Sequence, residues 1–110
     1  MVKKSFLVAG LVAVLAGTGA SAQNRADVAA GRALARESCS ECHAIGGGGK
    51  SSRKEAPPFR TLWKRYNIDS LQEAFAEGIS VGHKGRDMPE FEFSPEETDA
   101  LIAYIKSLKK

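Results

Sequence analysis

A chain of 110 residues, with 43% hydrophobic and 26% charged positions, describes one ordinary globular domain and leaves no room for a second. Its net charge of +3 is small, and no run of Lys and Arg is interleaved with aromatics, so nucleic acid is a poor partner.

The N-terminus stands apart from the rest. Lys3 and Lys4 precede an apolar run from Phe6 to Gly17, and Ala20-Ser21-Ala22 has the small-x-small pattern of a cleavage site. Residues 1–22 are therefore expected to be a secretory signal peptide cleaved after Ala22. The alternative, a membrane anchor, needs about twenty apolar residues, and this run is shorter and contains glycine. Removing 22 of the 110 residues leaves 88, and the loss of two lysines and no acid lowers the net charge from +3 to +1. A domain of that size buries only about 60% of its unfolded surface, and small exported domains usually need disulfides, a metal or a cofactor to compensate. Cys39 and Cys42 are expected to supply part of that stability.

From Ala26 to Glu41 the chain has no proline, and Val28, Gly31, Leu34, Ala35 and Ser38 recur at helical spacing. Gly46 to Gly49 stops regular structure. The charged stretch from Lys50 to Ala56 continues the loop, and Pro57-Pro58 stiffens its end. A short helix is expected from Phe59 to Tyr66, burying Phe59, Leu62, Trp63 and Tyr66 on one face. Ser70 to Glu73 has the form of a capping box, with Leu71, Ala74, Phe75 and Ile79 as the apolar stripe and Gly78 at the helix end. Ser94-Pro95-Glu96-Glu97 is a second capping box. It opens a helix from Pro95 to Lys109 that is apolar at Leu101, Ile102, Tyr104, Ile105 and Leu108. No stretch alternates apolar and polar residues long enough to form a strand, so the domain is expected to be all-α.

The chemistry concentrates in Cys39-Ser40-Glu41-Cys42-His43. A thioredoxin-like redox pair is compatible with export, but that fold needs βαβ units, for which the chain has neither strands nor length. Zinc held by Cys39, Cys42, His43 and a remote His83 does not match the paired spacing of zinc sites. The third reading is covalent haem. On a helical turn, positions i and i+3 share a face, so both thiols can form thioethers along one porphyrin edge and His43 can bind the iron; this spacing is the c-type haem attachment signature.

With that motif, the export signal and the helix pattern together, the chain resembles a small class I c-type cytochrome over essentially all 88 residues left after cleavage. The resemblance implies a cytochrome c fold, with N- and C-terminal helices crossing and short helices and loops wrapped around one haem. In that family a glycine eight residues before the first cysteine lets the end helices approach, and Gly31 stands there; the C-terminal Leu-Ile-Ala-Tyr pattern is Leu101-Ile102-Ala103-Tyr104. The family also has a proline whose carbonyl accepts from the haem histidine's free ring nitrogen. Pro57 best fits that role and Pro58 is the other possibility.

For the sixth iron position the resemblance points to Met88, in Gly85-Arg86-Asp87-Met88-Pro89, with His83 as its rival and an open iron as the third case. A thioether favours ferrous iron and raises the potential, whereas a second imidazole lowers it. Trp63 and Tyr66 can pack in the core or bond a haem propionate. Phe59, Phe75, Ile79, Leu101 and Tyr104 are expected to line the crevice or the crossing of the end helices. Lys50, Arg53 and Lys54 read as a solvated loop, with a local basic patch as the alternative.

If protein groups fill both axial positions, no substrate reaches the iron, and single-electron cycling is what remains. The expected function is a soluble, monomeric periplasmic carrier and not an enzyme, with haem c and its iron as cofactor. Its partners would be redox proteins such as a dehydrogenase, oxidase or reductase, with the membrane involved only through them. The competing class is a haem sensor or peroxidase-like protein with an open or labile sixth site. A third reading is a domain that works only beside a dehydrogenase or oxidase.

Overall fold

The computed structural model describes residues 9–12, 19–78, 88–89 and 91–109. Ile79 and His83 lie outside these residues, as does most of the expected leader. Among the described residues the chain forms four α-helices and no strand: α1, Gly19–Ser38; a 3-10 turn, Phe59–Thr61; α2, Leu62–Arg65; α3, Ile68–Glu77; and α4, Pro95–Ser107. The all-α expectation holds, and the arrangement agrees with a cytochrome c fold. No helix among the described residues is long and apolar enough to cross a membrane.

Helix α1 begins earlier than the sequence pattern indicates. Residues 21–26 are exposed, and the helix joins the core from Val28 onward, through Leu34 and the fully buried Ala35. It packs against α4. A Cβ built on Gly31 would lie 2.0 Å from the backbone oxygen of Ala100 and 2.7 Å from Cβ of Tyr104, so the two backbones meet at a distance that only glycine permits. The opposing face of α4 buries Leu101 and Ile105 almost completely, along with Ile102 and Tyr104. Full burial of one such aliphatic side chain is worth about 1.5–3 kcal/mol, enough for this crossing to organise the domain.

Helix α4 starts where the sequence places it. Ser94 accepts from the backbone N–H of Glu97, the Glu97 carboxylate accepts from the backbone N–H of Ser94, and Pro95 occupies the first turn. One turn later, Thr98 is 2% exposed and its hydroxyl has no hydrogen-bond partner among the described residues. A buried hydroxyl without a partner costs about 1–3 kcal/mol of desolvation. Thr98→Val keeps the branched shape and removes the hydroxyl, so it is expected to stabilise the protein by about 1 kcal/mol. Chemical denaturation would read this as a higher midpoint at unchanged slope, and a lower midpoint would show that the hydroxyl is bonded.

Two local expectations are corrected. The start of α3 is not at Ser70: Asn67 is the cap, its side chain accepting from the Asp69 N–H at 3.0 Å, while Ser70 lies inside the helix. The earlier start buries Ile68, an apolar gain that a cap at Ser70 would forgo. Gly78 does close the helix, with φ 95. The segment after Pro58 is also not one helix. It is a 3-10 turn followed by a single α-turn, and Tyr66 leaves it in an extended conformation, 48% exposed, instead of joining Phe59 and Leu62 in the core. Trp63 is half-buried beside the core, with the ammonium groups of Lys64 and Lys109 at 5.5 and 5.3 Å from its ring centre.

Helix α3 rests on α4 through Phe75, and Gln72 Nε2 donates to Asp99 Oδ1. Lys106 and Asp69 form an ion pair at 2.7 Å, but both side chains are more than half exposed, so it adds little stability.

Candidate functional site

The two cysteines stand on the turn that continues α1. Cys39 N–H donates to Ala35 O, and the Cys39 carbonyl accepts from Cys42 N–H at 3.2 Å and His43 N–H at 2.9 Å. This single helical turn carries both thiols and the imidazole at the i, i+3 and i+4 positions of one face. Cys39 is buried and Cys42 half-buried. Burial pushes the Cys39 thiol up to about 11, with the neighbouring Cys42 adding to the rise.

His43 is held from its far side. Its Nδ1 lies 2.8 Å from the Pro57 carbonyl oxygen. A carbonyl oxygen only accepts, so Nδ1 carries the proton, and in the neutral ring the lone pair is on Nε2. The register that the sequence leaves open between two prolines has a local cause. The Pro58 carbonyl already accepts from Thr61 N–H at 2.9 Å and Thr61 Oγ1 at 2.8 Å, while the Pro57 carbonyl faces His43. Phe59, 5% exposed, sets its ring centre 5.3 Å from that of His43.

The residues after His43 are fixed on several sides. Ala44 O accepts from Phe59 N–H at 2.9 Å, Ala44 N–H donates to Ser51 Oγ at 2.9 Å, and Ile45 O accepts from the Tyr104 hydroxyl at 2.6 Å. Ser52 Oγ donates to Glu41 O, and Arg53 N–H to Cys42 O, so the loop folds back on the cysteine turn. Arg60 reaches over to Gly49 O. Lys50, Arg53 and Lys54 are exposed on this loop.

Met88 is half-buried and packs against the core cluster. The chain that follows it is anchored by aromatics: Phe91 stacks on Phe93 at 5.7 Å, and Phe93 meets buried Phe75 edge-on at 6.0 Å. No sequence pattern marks this aromatic chain, because its members come from α3 and from the segment before α4. The hydroxyl partner of Tyr104 was likewise unmarked, although a buried tyrosine signals that some acceptor is near.

This donor set fits haem c. Two thiols on one turn suit two thioethers, and an imidazole fixed through Nδ1 leaves Nε2 for iron, as metal-bound histidines are commonly arranged. The family model for cytochrome c matches residues 28–109. Comparison with curated proteins and with solved structures gives no significant match.

Proposed function

We propose that this chain, which belongs to the cytochrome c family, is an exported, monomeric carrier of single electrons between redox proteins, without turnover of its own. The family binds covalently attached haem c with its iron and transfers electrons. The observation that carries the finer reading is the 2.8 Å bond between His43 Nδ1 and Pro57 O in the turn that bears Cys39 and Cys42.

Bound haem c supplies an iron that gains and loses one electron. Cys39 and Cys42 would hold the porphyrin covalently and His43 would supply a nitrogen ligand to the iron. The Pro57 carbonyl fixes the ring's orientation and raises its basicity. Met88 would supply the second protein ligand, its soft sulfur favouring the ferrous state. With both ligands supplied by His43 and Met88, this chain would exclude water and substrate from the metal, as a carrier role requires. Dehydrogenases, oxidases or reductases are the partner classes that use such a carrier, through a small and transient contact.

Export rests on residues 1–22. The described part of the apolar run, residues 9–12, is exposed, with Leu11 and Val12 at 95% and 82%, and so contributes nothing to the core. Within α1, the described side chains up to Ala22 are exposed, and the family match begins after it, at Val28. Periplasmic residence follows from that reading, and finding the unprocessed chain in the cytoplasm would contradict it.

The test is the absorption spectrum of the secreted protein, oxidised and reduced, beside that of Met88→Ala. A c-type haem spectrum with a far-red sulfur-to-iron band is expected in the wild-type protein. That band should disappear completely in the variant, which should also bind carbon monoxide when reduced. Carbon monoxide binding by the wild-type protein would indicate an open iron and a sensor or peroxidase-like role instead.

A further inference from the structure

We infer that the Tyr104 hydroxyl is a positioning group for His43: through its bond to the Ile45 carbonyl, it ties the crossing of α1 and α4 to the turn that presents the imidazole. The inference rests on the reading of His43 as an iron ligand.

Residues 43–45 form a short link between the cysteine turn and a run of four glycines. A Cβ on any of Gly46 to Gly49 would meet nothing within 4 Å, so the glycine run brings no side-chain packing of its own to the link. Ile45 packs against the core cluster and the His43 ring lies against Phe59, while hydrogen bonds fix the backbone groups of the link. Two of these, from Phe59 N–H to Ala44 O and from Ala44 N–H to Ser51 Oγ, come from the loop that closes back on the link. The Pro57 carbonyl, which fixes His43 itself, belongs to the same loop. If that loop shifts, these partners shift with it.

The Tyr104 bond is different in origin. Among the described residues it alone reaches residues 43–45 from α4. Tyr104 is 5% exposed, and its Cβ sits 2.7 Å from where a Gly31 Cβ would be, so the ring is locked at the helix crossing. Its hydroxyl then spans to Ile45 O at 2.6 Å, within the usual range for an O–H···O bond and strengthened by low local polarity. Thus, beside the His43 N–H bond to Cys39 O at the end of α1, α4 has its own hydrogen-bonded hold on the link, two residues beyond the ligand. The effect on iron is indirect: a link free to shift lets the His43 ring leave the Pro57 carbonyl more often.

Tyr104→Phe separates the two roles of this residue, because the ring and its packing on Gly31 stay and only the hydroxyl goes. The readout is solvent exchange of the His43 ring N–H, followed by NMR in the reduced, haem-loaded protein. Each variant is measured equally far below its own melting temperature. Loss of one such bond should speed exchange roughly fivefold or more. Ile105→Val, a cavity variant on the same helix with no bond to the link, should leave the rate at the wild-type value. If both variants exchange alike, Tyr104 is merely structural and the inference fails.

Should Tyr104→Phe not hold haem, 3-fluorotyrosine incorporated in a Tyr66→Phe background leaves position 104 as the only labelled site. It keeps the hydroxyl and makes it a stronger donor, so exchange should slow; an unchanged rate overturns the inference. A wild-type protein with covalent haem but no imidazole N–H signal overturns the ligand reading, and this inference with it.

Discussion

Gly31→Ala should lower stability by more than about 3 kcal/mol, although alanine is the better helix former by about 1 kcal/mol. The added carbon would sit 2.0 Å from the Ala100 oxygen and 2.6 Å from its carbonyl carbon. Both are backbone atoms of the facing helix and cannot swing aside as a flexible side chain would. Overpacking in cores usually costs about 1–3 kcal/mol even where side chains can adjust, so a clash with backbone belongs above that range. For a domain of this size the loss corresponds to a melting temperature roughly 15 °C lower, or more. The comparison variant is Ala33→Gly, at an exposed position of the same helix, which should cost only about 1 kcal/mol. Thermal unfolding of both would decide the matter. A Gly31→Ala protein as stable as the wild type would mean that α1 and α4 do not cross at this point.

The second large effect is expected from Cys39→Ala combined with Cys42→Ala. All covalently attached haem should be lost, seen as the absence of haem staining on a denaturing gel and an intact mass equal to that of the bare polypeptide. Loss of fold should accompany it, because a bound group stabilises the native state by mass action and a core this small has little else in reserve. Each single variant should retain haem through one thioether. Covalent haem persisting in the double variant would exclude these thiols as the attachment points.

What could be read in advance depends on how local the signal is. The start of α4 is written in four consecutive residues, Ser94 to Glu97, and the structure forms both reciprocal bonds there. The all-α character was legible because helical spacing is a short-range pattern, whereas the role of Gly31 at the helix crossing came from the family resemblance, since a glycine inside a helix can also simply be tolerated. Signals that compete locally were harder. Ser70 has the right residue three positions on, yet Asn67 caps equally well and lets Ile68 into the core. Tyr66 continues an apolar stripe, but its extended backbone ends that stripe one residue early. The contact from Tyr104 to Ile45 joins residues 59 apart in sequence, and no pattern in either segment names the other. Pro57 was distinguishable from Pro58 only when the partners of both carbonyls were known, because Thr61 takes one and His43 faces the other.

The way the loop after His43 is closed has a consequence for how the molecule can be altered. Ala44 and Ser51 are bonded at the base, and between them Gly46 to Gly48 face open space where a side chain would stand, whereas Gly49 has φ 86 and is bonded by Arg60. Extending such a closed loop is inexpensive, since each doubling of its length costs only about 0.6 kcal/mol. A peptide tag or an electrode-binding segment inserted between Gly47 and Gly48 would therefore enter beside the redox centre without being transmitted to the histidine. The glycine run is thus a natural port of attachment, where the protein can be wired or tethered close to its electron-carrying group while the helices that hold that group remain untouched.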